Sequence, residues 1–234
     1  MMIELKQLLL QASSQDFTDM FFTPGSPPVM KVNGTLRSVG GEPLTAEMTQ
    51  GIARQILNEE QFEEFKTQGD YNLAFGVKNV GRFRVNIYRQ RGAISVVLRR
   101  IVTDIPPLEA LRLPEIMGKL ALEKMGLILV TGATGTGKST TLASMVEHRN
   151  QQMEGHTVTI EDPIEFLHVH KKSLISQREV GVDTPSFQDA LQNVLRQSPD
   201  VIVIGEIRNA RVMSDALYAA ETGHLVLATL HSSN

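Results

Sequence analysis

The chain has no cysteine, no tryptophan, few aromatic residues of any kind (5%) and no surplus of basic side chains. Each absence closes a class of explanation. Without cysteine there is neither a disulfide framework nor a thiolate zinc site, and a reducing compartment fits the composition. With 23 Lys and Arg against 26 Asp and Glu, the net charge is −3. The electrostatic footprint of a general nucleic-acid binder is missing, and so is the basic, aromatic-lined groove on which single strands stack. No apolar run reaches the ~18 residues of a membrane span. The N-terminus, MMIELKQLLLQASSQ, lacks the basic flank and continuous apolar stretch of a secretory signal. The reading is a cytoplasmic protein with 41% hydrophobic and 21% charged residues, ordinary values for a soluble globular chain.

What is present centres on residues 132–139, GATGTGKS, set between an apolar stretch (Leu127 to Val130) and a helical one (Thr140 to His148). Triphosphate oxygens need many donors in a tight cradle, and Gly132, Gly135 and Gly137 allow the backbone angles and close approaches that make one. Ala133, Thr134 and Thr136 complete the loop, Lys138 reaches the β and γ phosphates, and Ser139 supplies a hydroxyl to the oxygen shell of Mg²⁺. The following helix, entered through Thr140, adds free N–H groups and the positive end of its dipole. ATP with Mg²⁺ is the expected ligand.

Acidic residues stand where such a site needs them. Val201 to Ile204 reads as a buried strand that delivers Glu206 to the carboxyl end of a sheet, as a ligand for Mg²⁺ or water. Three carboxylates within five residues, Glu161, Asp162 and Glu165, follow a second strand. Close like charges raise one another's pKa and a cation offsets their repulsion. Glu165 is assigned to orienting or deprotonating the attacking water, with Glu161 and Asp162 nearer the metal. His224 and His231 flank the strand Leu225 to Leu230, and His231 is a candidate sensor of the γ-phosphate. His168 and His170, beside Lys171 and Lys172, read as part of a solvated connection. Arg82 and Arg84 share the polar face of one strand and Arg99 ends the next. They could steady charge on a transferred phosphoryl group or simply face solvent.

The rest of the chain sorts into two domains. An amphipathic helix at 2–14, strands at 19–22, 29–32 and 35–39 with an Asn33-Gly34 turn, a helix at 45–57 capped by Thr45, and a meander at 71–77, 81–90 and 93–100 make a small α+β unit. Prolines 106, 107 and 114 mark a connection. Beyond it, strands at 127–131, 156–160, 200–204 and 224–230 alternate with helices, the pattern of a mostly parallel sheet. The assigned boundaries are 1–103, a linker at 104–118, and 119–234.

Four segments together resemble a known family: GLILVTGATGTGKSTTLASM; TIEDPIEF; SQREVG with DALQNVLRQSPDVIVIGEIR; and AAETGHLVLATLHSSN. The chain is similar to the type IV pilus retraction ATPases of the type II/IV secretion ATPase superfamily, and more to the accessory than to the principal retraction ATPases. The resemblance implies an α/β chain with a PAS-like N-terminal domain and a RecA-like P-loop domain. In its terms GATGTGKS is the Walker A motif, EDPIEF the Asp box, VIVIGEIR the Walker B motif and TGHLVLATLH the His box. It implies hexameric rings that hydrolyse ATP at the inner face of the cytoplasmic membrane. There they would power pilus retraction and twitching motility with an inner-membrane platform protein and, in some systems, a paralogous retraction ATPase. Family members continue past the equivalent of Asn234, so the segment alone is expected to associate weakly and hydrolyse slowly. Two alternatives stand beside the motor: a nucleotide-binding assembly module that depends on a partner ring, and another secretion-type ATPase.

Overall fold

A computed structural model describes residues 4–231 and divides into two compact units that meet in sequence at Ile101/Val102. In the first, alternating inward residues make strands and three short helices cover them. The order is α1 (Leu5–Ala12), β1 (Phe17–Phe22), β2 (Val29–Val32), β3 (Thr35–Ser38), α2 (Ala46–Ile56), α3 (Glu59–Gln68), β4 (Asp70–Val77), β5 (Gly81–Gln90) and β6 (Ala93–Arg100). The six strands pair antiparallel in the order β3-β2-β1-β6-β5-β4. Asn33 and Gly34 both take positive φ in the β2–β3 turn, the geometry that matches a two-residue turn to the twist of its strands. Thr45 caps α2 by accepting from the Met48 N–H at 3.3 Å. Phe83, Val85 and Ile87 of β5 point into one core with Leu5 and Leu9 of α1, Ile52 of α2, and Phe62 and Phe65 of α3. Burying each phenyl ring contributes about 1.5–3 kcal/mol. Ile3, counted in the expected first helix, lies outside the described residues.

Helix α3 was not expected between the α2 pattern and the meander. Its only buried residues are Phe62 and Phe65, too narrow a stripe to register as periodicity. Its ends are nevertheless well marked. The Asn58 side chain accepts from Gln61 N at 2.8 Å, Gln61 Oε1 accepts from Asn58 N at 3.0 Å, and Gly69 closes the helix at φ 83°.

The second unit runs α4 (Ile116–Ala121), β7 (Gly126–Gly132), α5 (Lys138–Gln152), β8 (Gly155–Glu161), β9 (Ser173–Glu179), α6 (Phe187–Val194), β10 (Val201–Ile204), α7 (Ala210–Glu221) and β11 (Leu225–His231). Its five strands are parallel, in the order β7-β11-β10-β8-β9. Strand residues of opposite parity feed two cores. Ile202, Ile204, Val226 and Ala228 pack with α6 and α7, whereas Val201, Val203, Leu225 and Leu227 pack with α4 and α5. This two-sided burial explains why these strands read as unbroken apolar runs. The proline-rich segment is fastened to α5: Leu108 is buried in that core and Pro106 O accepts from Ser144 Oγ at 2.7 Å. Helix α4, which begins inside the expected linker, and strand β9 are further elements absent from the expected pattern.

Candidate nucleotide site

All five parallel strands end on one side, and a pocket of ≈ 390 Å³ opens at their carboxyl ends, where ligands of such sheets collect. The P-loop forms one wall. Gly132, Gly135 and Gly137 take φ of 154°, 79° and 91°, values L side chains avoid. At Gly132 an added Cβ would stand 2.9 Å from Thr136 Oγ1. Thr136 Oγ1 donates to Ala133 O at 2.8 Å, and Lys138 Nζ donates to the same carbonyl at 2.8 Å, so Ala133 fixes the curvature of the loop. Gly137 is the N-cap of α5 and offers no side chain to its first N–H groups. The helix end therefore keeps free donors for an anion. Thr134, Ser139 and Thr140 line the same pocket.

From Lys138 a line of polar contacts crosses the pocket through every motif singled out in the sequence. Lys138 Nζ is 3.4 Å from His231 Nδ1, and His231 Nε2 is 3.0 Å from Glu206 Oε1. With an ammonium on one side and a carboxylate on the other, the tautomer assigned is Nε2–H, with Nδ1 accepting. Arg208 then joins the two acidic segments: its Nε donates to Glu206 Oε2 at 2.9 Å and its Nη1 to Asp162 Oδ2 at 2.7 Å. The hydrogen bond to Glu206, joined by the pairing with Asp162, holds this guanidinium above its ordinary pKa against the opposing effect of desolvation. Arg208 was not singled out from sequence. Its signal was available in the GEIR wording, where it lies two residues past Glu206 and can turn back toward it.

Glu161 and Glu165 line the opposite wall. Burial pushes the Glu161 carboxyl up, only partly countered by the hydrogen bonds that its Oε1 accepts from Thr159 Oγ1 at 2.6 Å and Gln177 Nε2 at 3.1 Å. Glu165 is exposed at the pocket rim. The solvated reading holds for His170, Lys171 and Lys172, which are exposed, and is corrected for His168. Its side chain is 4% exposed, lies 3.5 Å from Glu147 Oε2 and lines the pocket, because the connection folds back onto α5. Burial holds its imidazole below the usual range, with Glu147 pulling the other way. Lys171 also pairs with Glu147. His224 sits away from the pocket lining, its Nδ1 3.1 Å from Ala219 O at the end of α7, a structural partner.

Arg82, Arg84 and Arg99 belong to the first unit. Arg84 is directly opposite Arg99 in the β5–β6 ladder. Arg99 Nε donates to the buried Asp19 at 2.8 Å, and the Nε atoms of Arg82 and Arg84 are buried without a hydrogen-bond partner.

Residues 7–234 match the family described as "Type II/IV secretion system protein". The chain belongs to the type II/IV secretion system protein family. It is 50% identical to the type IV pilus ATPase PilU of Pseudomonas aeruginosa over 99% of its length, covering 61% of that protein. It is 39% identical to the PilT retraction ATPase of the same organism, again over 99% of its length and 67% of that protein. Among solved structures, the pilus retraction motor PilT with bound ADP superposes with a TM-score of 0.91 at 44% identity, over 98% of this chain and 67% of the other. The chain thus spans about three fifths of PilU and two thirds of PilT. As in that family, an N-terminal α+β unit precedes a P-loop α/β unit.

Proposed function

We propose that this member of the secretion ATPase family is the nucleotide-binding part of a type IV pilus retraction motor, which hydrolyses ATP in a hexameric ring at the cytoplasmic face of the inner membrane. The observation that carries the reading is the line Lys138–His231–Glu206–Arg208–Asp162. It ties the phosphate loop to the acids of two neighbouring strands. The similarity to PilU and PilT supports the pilus as the load. Residues 1–103 and 119–234 are assigned as the PAS-like and RecA-like domains.

The backbone from Gly132 to Gly137, with the α5 N–H groups through Thr140, cradles the phosphates, and Lys138 leaves Ala133 O for them. The Ser139 hydroxyl and the Glu206 carboxylate share the pocket and suit Mg²⁺, which takes one or two protein oxygens and completes its shell with water and phosphate oxygens. Asp162 and Glu161 stand behind that position. Bound there, Mg²⁺ supplies charge neutralisation to the transferred phosphoryl group. Glu165 orients and deprotonates the attacking water, and His231 reports the γ-phosphate to Glu206. Arg82, Arg84 or Arg99 supplies a guanidinium to the reacting phosphate, in cis or from a neighbouring subunit.

A second reading, a module that hydrolyses only beside a partner ring, draws on the higher identity to PilU than to PilT, 50% against 39%. Steady-state ATPase of the full-length protein, alone and mixed with a paralogous retraction ATPase, decides between them. The motor reading expects turnover by the protein alone, unchanged by single-stranded DNA. Lys138→Ala removes the one mobile cation of the cradle and is expected to abolish tight ATP binding. Unaltered affinity by calorimetry would overturn the phosphate-loop assignment.

A further inference from the structure

Strand β9, at the edge of the parallel sheet, turns a mostly polar face inward. Residues Ser173, Ile175, Gln177 and Glu179 share one face, and three of the four are polar. Ser173 Oγ is spent on Met153 O at 2.7 Å. Gln177 and Glu179 are spent on one target, the acidic connection that leaves β8. In the β8–β9 register Thr159 is opposite Gln177 and Glu161 is opposite Glu179, so both side chains lie under the start of that connection.

Gln177 uses both ends of its carboxamide there. Nε2 donates to Phe166 O at 2.8 Å and to Glu161 Oε1 at 3.1 Å, while Oε1 accepts from His168 N at 2.9 Å. Only this amide orientation places the nitrogen on a carbonyl and the oxygen on an N–H. Glu179 is 6% exposed, and its Oε2 accepts from Ile164 N at 3.1 Å. Residues 161, 164, 166 and 168 are therefore held from beneath at four points, and Glu165 stands between two of them. An apolar residue at 177 would pack a parallel strand equally well. It would leave the part-buried Phe166 O and His168 N without these partners.

We infer that Gln177 is a positioning residue for hydrolysis: by fixing the peptide groups that follow Glu165 and the carboxyl group that precedes it, Gln177 sets where the Glu165 carboxylate meets the attacking water. This rests on the reading of Glu165 as the base. The phosphate loop and Lys138 lie on β7 and α5 and make none of these bonds, so nucleotide affinity and hydrolysis separate. Displacing a reacting group by about 1 Å costs on the order of 10²-fold in rate.

The test uses the full-length protein and four variants. Gln177→Leu, similar in size and unable to hydrogen-bond, is expected to lose about 10- to 10²-fold in kcat while its ATP affinity and KM stay within about twofold of wild type. Gln177→Glu keeps the acceptor for His168 N, and its protonated form also restores a donor for Phe166 O. Its kcat relative to wild type is expected to rise as pH falls, which a general packing defect would not produce. Adding Gln177→Leu to Glu165→Gln is expected to cost little more than Glu165→Gln alone, because a residue that acts through another has nothing left to act upon. Additive losses, a parallel fall in ATP affinity, or wild-type kcat in Gln177→Leu beside an inactive Glu165→Gln would each overturn the role of Gln177. Normal turnover in Glu165→Gln would instead overturn the base assignment beneath it. Where Gln177→Leu fails to fold, a pH-independent kcat ratio in Gln177→Glu refutes the inference.

Discussion

At the scale of single residues, the site separates binding from chemistry. In the proposed assignment Lys138 and the glycines hold phosphate, whereas Glu165 and Glu206 act on what is held. Glu165→Gln and Glu206→Gln are therefore expected to bind ATP normally and to lose about 10²-fold or more in turnover, the scale of removing a positioned base or an electrostatic contact. Equilibrium binding with single-turnover hydrolysis checks this. Near-normal turnover in Glu165→Gln would move the base role to Glu206. His168 offers a different measurement. Burial lowers its pKa from the ordinary 6.5, assisted by Lys171 and opposed by Glu147. The unfolded chain therefore takes up a proton near pH 6.5 that the folded chain still refuses. The stability this contributes is complete above 6.5 and is lost as pH falls through the lower folded value. Thermal melting of His168→Gln is expected to fall less steeply than wild type across that window, and identical slopes would refute it.

At the scale of elements, legibility followed periodicity. The VIVI strand stood out because a strand buried on both faces is continuously apolar, the hairpins because half-buried strands alternate, and the P-loop strand by its apolar run although it lies partly exposed at the sheet edge. Helix α3 and strand β9 hid for opposite reasons, α3 because two phenylalanines carry all its burial, and β9 because its inward face is polar. That hidden strand explains why His168 was misread, since without β9 nothing shows that the connection folds back over α5. Arg208 escaped because its partners, Glu206 and Asp162, come together only through strand order. The same adjacency makes Gly205 sensitive. A Cβ there would stand 3.2 Å from the Glu161 backbone and 3.3 Å from Ile160 O, neither of which can swing aside. Gly205→Ala is expected to spread the ends of β8 and β10, cost about 1–3 kcal/mol of stability, and lower kcat more than ATP affinity. Melting and steady-state kinetics together test it, and wild-type kcat would show that the gap is absorbed elsewhere.

At the scale of the molecule, a head-to-tail ring requires two different surfaces on each subunit, and the first unit carries the three arginines proposed to reach the reacting phosphate. Arg99 is already engaged by Asp19, and the Nε atoms of Arg82 and Arg84 lack partners. A triple Arg→Ala variant of the full-length protein is expected to lose about 10³-fold in ATPase if one of these residues acts as an arginine finger. Mixing it with a Lys138→Ala variant tests the geometry. Partial recovery would mean that one subunit completes its neighbour's site, and full activity of the folded triple variant alone would return the arginines to a solvent-facing role. The glycine at the head of α5 reaches further still. A helix whose first donors are left to its ligand makes that ligand part of the fold, worth about 2.7 kcal/mol at a hundredfold excess over Kd. On the proposed function, nucleotide would then govern lifetime as well as work: the protein starved of ATP is expected to open more often and to be cut faster by proteases.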